Sequence, residues 1–332
     1  MAEITYRGRR ATTIENESIR VTVLHEGGHI AGILDKQTNV NPLWTPPWDS
    51  IEPSTYDPRR HPGYGADSES KLLSGIMGHN LCMDIFGVPS AEEAAAGLTV
   101  HGEASVAAYE VAATETALTA RASLPQSQLR LERRIRLAGS VVEISETVEN
   151  ESAADRPIAW TEHVTLGPPF LEKGATEFRA PVTQSQVLEP GNGDLHLFTG
   201  APCSGGYTAH LLDPARLQAY FVAWSPAARV AFGYVWRRAD FPWLGVWEEN
   251  YSRQSPPWNG RTLTRGMEFG VSPMPETRRQ MIARGSLFGV PGFRWIPART
   301  RVEVNYRAAI APHASACPEQ LTWHATGEVV FE

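Results

Sequence analysis

Alternation of apolar and charged residues with a period of two is the feature that most constrains the fold of this chain. In residues 128–137, apolar side chains occupy one face and charged side chains the other, with Arg133 alone intruding on the apolar face. The alternation resumes in residues 141–150 after a turn at Gly139 and Ser140. Further strand-like segments lie at residues 18–24, 30–34, 99–104, 106–114, 117–123, 217–224, 229–236, 244–250, 267–272 and 301–309. Residues 276–284 predict a helix, and residues 90–96 predict one or two helical turns. We therefore expect an all-β, antiparallel protein with few short helices.

The composition limits the number of domains and the classes of partner. No repeat, linker or change of composition divides the 332 residues, so we expect a single domain over residues 1–332. A net charge of −7 gives no electrostatic reason to expect nucleic acid as a partner. No apolar window approaches the roughly 18 residues of a membrane span, and the N-terminal residues lack the apolar core of a signal peptide. Three widely spaced cysteines read as reduced thiols, so a cytoplasmic location is expected.

The segment Leu-His-Glu-Gly-Gly-His-Ile at residues 24–30 matches the H-E-x-x-H signature of zinc proteases. That motif binds zinc only on a helix, where one turn brings both imidazoles to the same face. Here Gly27 and Gly28 occupy the variable positions, and each glycine costs about 1 kcal/mol relative to alanine in a helix interior. The β-branched residues on both sides favour strands. The segment therefore predicts a hairpin, and neither a metal nor any other cofactor is expected.

A proline-rich segment at residues 41–62 predicts a long irregular loop. Its Trp44, Trp48 and Tyr56 indicate an ordered loop, because disordered segments contain few aromatic residues. The chain has 10 tryptophans in all. Some of them could form flat platforms for the apolar faces of sugar rings, although core packing explains tryptophan equally well.

Three polar positions stand out among apolar neighbours in strand-like segments. They are His101 in Thr-Val-His-Gly-Glu, His163 in Thr-Glu-His-Val-Thr, and the adjacent pair Glu248 and Glu249. Adjacent residues on a strand point to opposite faces, so at most one of the two glutamates shares a given pocket. Taken singly, each position is also compatible with a structural role.

Together, these segments resemble the galactose mutarotase-like superfamily, which includes the aldose 1-epimerases. The resemblance rests on the glycine hairpin near residue 27, residues 98–103, residues 148–163 and residues 245–250, in that order along the chain. It implies a β-supersandwich, a single large domain of antiparallel sheets that binds a small-molecule carbohydrate in an open cleft. It also implies an isomerase, a mutarotase that interconverts α and β anomers by acid–base catalysis without a metal.

By similarity, His163 is the proton donor and Glu248 or Glu249 is the base. Glu248 is preferred because it aligns best with the family's glutamate and shares a face with Val246 and Asn250. His101 is expected to hydrogen-bond the sugar, and Trp247 is included among the expected sugar contacts.

The sequence departs from the family pattern before the His-Gly segment. Typical members have Asn-Arg there, and this chain has His79 and Asn80, which are expected to bind sugar hydroxyls with a different preference. Glu162, beside His163, has no counterpart that the resemblance assigns. Four arginines are possible contacts for an acidic or phosphorylated sugar, namely Arg59, Arg60, Arg253 and Arg261.

Two other functions fit the same fold. One is a carbohydrate-binding protein without epimerase activity, which would use the same cleft. The other is a glycoside-cleaving enzyme, which would need a second carboxylate across the cleft, such as Asp84 or Glu103. The identity of the sugar and the oligomeric state stay open.

Overall fold

The computed structural model describes residues 2–189 and 194–332, and most of its strand residues belong to two large antiparallel sheets. In chain order the strands are β1 (Ala2–Tyr6), β2 (Arg9–Glu15), β3 (Ile19–Leu24), β4 (Ile30–Asp35), β5 (His79–Asp84), β6 (Glu110–Ala113), β7 (Ala117–Leu124), β8 (Leu129–Ala138), β9 (Val141–Asn150), β10 (Arg156–Leu166), β11 (Glu177–Arg179), β12 (Val182–Glu189), β13 (Ser204–Leu212), β14 (Gln218–Ser225), β15 (Val230–Arg237), β16 (Trp243–Asn250), β17 (Leu263–Gly270), β18 (Ser286–Leu287), β19 (Val290–Pro291), β20 (Arg294–Ile296), β21 (Arg301–Pro312), β22 (Leu321–Trp323) and β23 (Val329–Phe331). The helices are α1 (Ser70–Leu73), α2 (Ala91–Ala95) and α3 (Arg278–Arg284), with 3-10 turns at Pro53–Thr55 and Pro62–Tyr64.

The first sheet has the strand order β1-β2-β3-β4-β5-β10-β17-β16-β13-β12, and β20 also pairs with β10. The second sheet has the order β11-β14-β15-β21-β9-β8-β7-β6. The pairs β18–β19 and β22–β23 form two small hairpins. This arrangement confirms the all-β, antiparallel prediction. No helix in the described part of the chain combines the length and the apolar character that crossing a membrane requires.

The two sheets pack face to face, and the core lies between them. Alternate residues of β8 and β9, such as Leu131 and Ile144, meet residues of β17 such as Met267 and Phe269 in one buried cluster. The indole of Trp236 stacks on Phe269 with ring centroids 4.1 Å apart. The period-two pattern read from the sequence therefore marks the core face of the second sheet.

Residues 99–104 form a turn and not the predicted strand. His101 has φ +68° and Gly102 has φ +78°, and both values lie in the left-handed region that extended strands do not use. A Cβ atom on Gly102 would lie 2.1 Å from the carbonyl oxygen of Met83, so only glycine permits this close approach to β5. The turn is fixed by that long-range contact, which local sequence does not reveal.

The hairpin predicted for the H-E-x-x-H segment is confirmed. Strands β3 and β4 flank Gly27 and Gly28, whose φ angles are +76° and +60°. The His25 ring hydrogen-bonds Thr12 Oγ1 at 2.8 Å, and His29 Nε2 donates to the carbonyl oxygen of Ser105 at 2.9 Å. The two imidazoles therefore serve separate structural contacts on either side of the turn.

Substituting Gly27 with alanine should lower the free energy of unfolding by about 2–4 kcal/mol. The alanine would be strained in the left-handed backbone conformation, and its side chain would also overpack the turn. The new Cβ would lie 2.4 Å from the Ser105 carbonyl oxygen. Gly139 is a matched control, because it also has positive φ but a Cβ added there would meet no other atom within 4 Å. Gly139→Ala should cost only about 1 kcal/mol. Urea unfolding of both variants measures the difference, and equal losses would contradict the packing argument.

Candidate active site

A cavity of about 350 Å³ opens on the face of the first sheet that points away from the core. Three neighbouring strands of that sheet contribute His163 (β10), Trp247 (β16) and Glu268 (β17) to its lining. The adjacent residues Val164 and Met267 point the other way into the core, as strand alternation requires. A concave site with few convergent polar groups is typical of small-molecule binding.

His163 and Glu268 lie in direct contact at the cavity wall. The two residues are direct partners across the β10–β17 ladder, and His163 Nε2 lies 3.0 Å from Glu268 Oε1. The other ring nitrogen, His163 Nδ1, is 2.9 Å from the hydroxyl oxygen of Thr165, two residues along the same strand. His163 is 5% exposed and Glu268 is 2% exposed. An imidazole and a carboxylate in direct contact, both facing a cavity, can exchange protons with a bound molecule.

His101 lies beside this pair. Its ring centroid is 4.7 Å from that of His163, and its Nδ1 atom is enclosed without a hydrogen-bond partner in the protein. Burial lowers the pKa of His101 well below its usual range, and the nearby His163 and Arg253 lower it further. His101 is therefore neutral near pH 7, and the residue lines the cavity.

Glu248 and Glu249 are not the carboxylates that face His163. Glu248 points to the core side of β16 with Val246, where its Oε1 lies 3.5 Å from Arg265 Nε. Glu249 is on the cavity side, but its carboxylate accepts hydrogen bonds from the backbone N–H and hydroxyl of Ser252, at 2.5 and 2.7 Å. Neither glutamate lines the cavity. The prediction that one of them faces His163 is wrong in its placement, because the next strand, β17, supplies that carboxylate.

The sequence contains a signal for Glu268 that the motif comparison missed. Residues 263–270 are almost entirely buried, and Glu268 is an acidic residue in the middle of that strand. It shares a face with Gly266, where a Cβ atom would come within 2.4 Å of Glu268 Oε1. A glycine two residues from a buried acid therefore leaves the room that the carboxylate occupies.

His79 and Asn80 are divided between the two faces of β5. His79 points into the core, where its Nε2 is 2.8 Å from Glu162 Oε2, and burial lowers its pKa well below the usual range. The predicted contact of His79 with the sugar is therefore wrong. Asn80 lies opposite His163 in the ladder and is 1% exposed, and neither polar atom of its side chain has a hydrogen-bond partner in the protein. It shares the cavity side of the sheet with His163 but does not itself line the cavity.

Glu162 and His79 belong to a polar cluster buried between the sheets. Arg133 Nε contacts Glu146 Oε1 at 2.5 Å, and Arg133 Nη2 contacts Glu162 Oε2 at 3.2 Å. The Tyr306 hydroxyl lies 2.9 Å from both carboxylates. This cluster explains why Arg133 intrudes on the apolar face of β8 and gives Glu162 a structural partner.

Tryptophans form one wall of the cavity and also explain the order of the proline-rich loop. Trp44 stacks on Trp258 at 6.1 Å, and Trp48 contacts both edge-on. Trp258 and Trp247 line the cavity, which places Trp247 in the site as predicted. Arg253 lies over Trp258 at 4.8 Å and pairs with Glu69 at 2.9 Å. The loop at residues 41–62 therefore supports the site through Trp44 and Trp48.

Asp84 and Glu103, the carboxylates considered for glycoside cleavage, accept hydrogen bonds outside the cavity. Asp84 accepts charged hydrogen bonds from Arg278 and Arg156, and Glu103 accepts from the backbone N–H groups of Gln126 and Ser127. Neither lines the cavity.

The sequence matches no protein-family model and no curated protein. Its structure is similar to a candidate aldose 1-epimerase from Klebsiella pneumoniae, with a TM-score of 0.72 and 14% identity over 95% of this chain and 82% of that one. It is also similar to a galactose mutarotase related enzyme from Lactobacillus acidophilus, with a TM-score of 0.61 and 14% identity over 92% and 99% of the two chains. A galactose mutarotase-like protein from Clostridium acetobutylicum matches with a TM-score of 0.62 and 11% identity over 94% and 98%. The two packed antiparallel sheets of this chain therefore form the galactose mutarotase-like fold.

Proposed function

We propose that this protein interconverts the α and β anomers of an aldose, with His163 and Glu268 as the acid–base pair. The observation that carries the proposal is the 3.0 Å contact between His163 Nε2 and Glu268 Oε1 at the wall of a cavity large enough for a sugar. Solved structures that carry the mutarotase and aldose 1-epimerase names support it at the level of the fold.

The chemistry needs two proton transfers at neighbouring oxygens. Opening a cyclic hemiacetal removes the proton from the anomeric hydroxyl and gives a proton to the ring oxygen. Both oxygens are bonded to the anomeric carbon, so an acid and a base in contact with each other can reach both. In this proposal Glu268 takes the hydroxyl proton and His163 protonates the ring oxygen. Closing the ring on the other face of the carbonyl reverses both transfers.

Two neighbouring residues support this cycle. The Thr165 hydroxyl, 2.9 Å from His163 Nδ1, can accept from the Nδ1–H group both before and after Nε2 gives its proton to the sugar. It therefore holds the imidazole in place through both protonation states. The neutral His101 supplies a hydrogen bond to a sugar oxygen and places no second positive charge beside His163.

The test is acceleration of anomer equilibration, followed by polarimetry or proton NMR for a panel of aldoses. Wild-type protein should accelerate at least one aldose, and His163→Ala should lower kcat by about 10²–10⁴-fold. His324→Ala is the matched control, because His324 is exposed and does not line the cavity. Acceleration retained by His163→Ala, or absent with every aldose, would contradict the proposal.

A carbohydrate-binding protein without catalysis is the second candidate, and the tryptophan wall formed by Trp247 and Trp258 favours it. Sugar-dependent changes in tryptophan fluorescence without faster equilibration would support this function over the first.

A further inference from the structure

We propose that the cavity takes an uncharged aldose with a deoxygenated edge, and rejects phosphorylated and acidic sugars. The inference rests on the proposed function for the location of its site. Two independent features carry it: the charges that line the cavity and the apolar composition of one wall.

The cavity lining is strongly acidic. Its described residues include four carboxylates, from Asp67, Glu69, Glu189 and Glu268, against one guanidinium, from Arg253. A phosphate or carboxylate group brought into this space would meet like charges, and the repulsion would be strongest at the buried Glu268, since Asp67 and Glu189 are exposed. The acidic lining therefore favours uncharged molecules over anions.

The guanidinium of Arg253, the only one among the described lining residues, already pairs with carboxylates of the protein. Arg253 Nη1 lies 2.9 Å from Glu69 Oε1, and Arg253 Nε lies 3.7 Å from Glu249 Oε2. The same guanidinium packs over the ring of Trp258. Phosphate recognition normally uses arginine or lysine donors that are free to make charged hydrogen bonds. Binding an anion here would require breaking the bond between Arg253 and Glu69, which leaves Glu69 facing the anion.

Four aliphatic side chains line one wall of the cavity, and none of the four can hydrogen-bond. Leu72, Leu73, Ile76 and Val100 pack with Trp258 in a single apolar cluster and line the cavity together. A sugar hydroxyl pressed against this wall would lose its water and gain no side-chain partner, whereas a methyl or methylene group would gain apolar contact. A sugar that lacks a hydroxyl on that edge therefore fits the wall better than its parent.

In the proposed function, the anomeric end of the sugar lies at the polar groups around His163. His101 and Glu268 both adjoin His163, at 4.7 Å between ring centroids and 3.0 Å between the paired atoms. The anomeric end of the sugar is therefore the polar end. The deoxygenated edge is the part that the aliphatic wall contacts.

The experiment compares sugars that differ at one position. The measured quantity is kcat/KM for anomer equilibration, in the gluco, galacto and manno series. Each series includes the parent hexose, its 2-deoxy, 3-deoxy and 6-deoxy analogues, its 6-phosphate and its uronate. Binding of each sugar is measured separately by tryptophan fluorescence. At least one deoxy analogue should exceed its parent about tenfold or more, since an apolar pocket discriminates against an added hydroxyl by up to about 100-fold. The phosphates and uronates should fall at least about 100-fold below their parents.

Two variants test the two features without large changes of shape. Val100→Thr places a hydroxyl on the apolar wall with a nearly unchanged outline, and should reduce the preference for the deoxy sugar about threefold to tenfold. Glu189→Lys should raise kcat/KM for the 6-phosphate, relative to the parent hexose, at least about tenfold. Glu115→Lys makes the same charge change at an exposed site outside the cavity lining, and should leave that ratio unchanged.

The outcomes separate this inference from the proposed function. Equilibration that is fastest for a phosphorylated or acidic sugar, or slower for every deoxy analogue than for its parent, overturns the inference and leaves the epimerase function intact. Tight binding of a deoxy sugar without acceleration supports the inference and contradicts the epimerase function. Absence of both binding and acceleration for all of these sugars overturns both.

Discussion

Replacing Glu268 with glutamine is expected to lower kcat for anomer equilibration by about 10²–10⁴-fold, because the amide cannot accept the proton of the anomeric hydroxyl. Glutamine keeps the size of the side chain and places an amide where the carboxylate lies, 3.0 Å from His163 Nε2. The loss should therefore fall on kcat and leave KM within a few-fold of the wild type. Polarimetry on the best substrate of the aldose panel measures both constants.

Glu248→Gln and Glu249→Gln are the matched controls on the neighbouring strand. Glu248 lies on the core face, so its substitution should leave kcat within a few-fold of the wild-type value. Glu249 holds the backbone of Ser252 and, at 3.1 Å, that of Arg253, so its substitution should raise KM more than it lowers kcat. A loss of kcat concentrated at Glu248 or Glu249, with Glu268→Gln still active, would return the base to the position that the family motif suggested.

Replacing Arg133 with methionine is expected to lower the free energy of unfolding by about 3–5 kcal/mol, because it leaves two buried carboxylates without their cation. Arg133 is 1% exposed and also donates to the carbonyl oxygen of Gly28 at 2.9 Å, so it ties the buried cluster to the β3–β4 hairpin. Urea unfolding measures the loss. The matched control is Arg134→Met on the same strand, since Arg134 is 64% exposed and its ion pair with Glu132 should contribute less than about 1 kcal/mol.

The loss at Arg133 should also grow with pH. Burial raises the pKa of Glu146 to about 7 even though Arg133 opposes the shift, so the folded state favours the protonated form. Stability from this group is fully present below the unfolded pKa of 4.5 and is lost as pH rises through about 7. Without Arg133 the pKa of Glu146 rises further, so the cost of the substitution should be larger at pH 8 than at pH 6. A cost independent of pH would contradict the assignment of charge in the cluster.

Much of the second sheet could be predicted from local alternation. The segment 141–150 coincides with strand β9, and 117–123 falls one residue short of β7, because each strand carries a repeating contrast between its core face and its solvent face. Strands of the first sheet that are buried on both faces, such as β10 and β17, carry weaker alternation. The turn at His101 was mistaken for a strand because a contact with the Met83 carbonyl, remote in sequence, decides its conformation.

The site was only partly predictable for the same physical reason. His163, His101 and Trp247 were predicted and do line one cavity. Glu268 was missed because it faces His163 only through the pairing of β10 with β17, two strands that are distant in sequence. A short Glu-Glu motif on β16 was also the closer match to the family. Similarly, His79 and Asn80 are neighbours on β5 and therefore point to opposite faces of the sheet. The sequence alone did not indicate which of the two faces the cavity side.

His163 and Glu268, the proposed acid–base pair, lie on paired strands, whereas several residues proposed to select the sugar do not. The distance between His163 and Glu268 is set by the backbone ladder of β10 and β17, which loop movements leave unchanged. The groups that would distinguish one sugar from another, such as Leu73, Val100 and Trp258, lie outside the strands. Substitutions and insertions in those connecting segments can therefore change which molecule fits the cavity, while the distance between His163 and Glu268 on the sheet is retained.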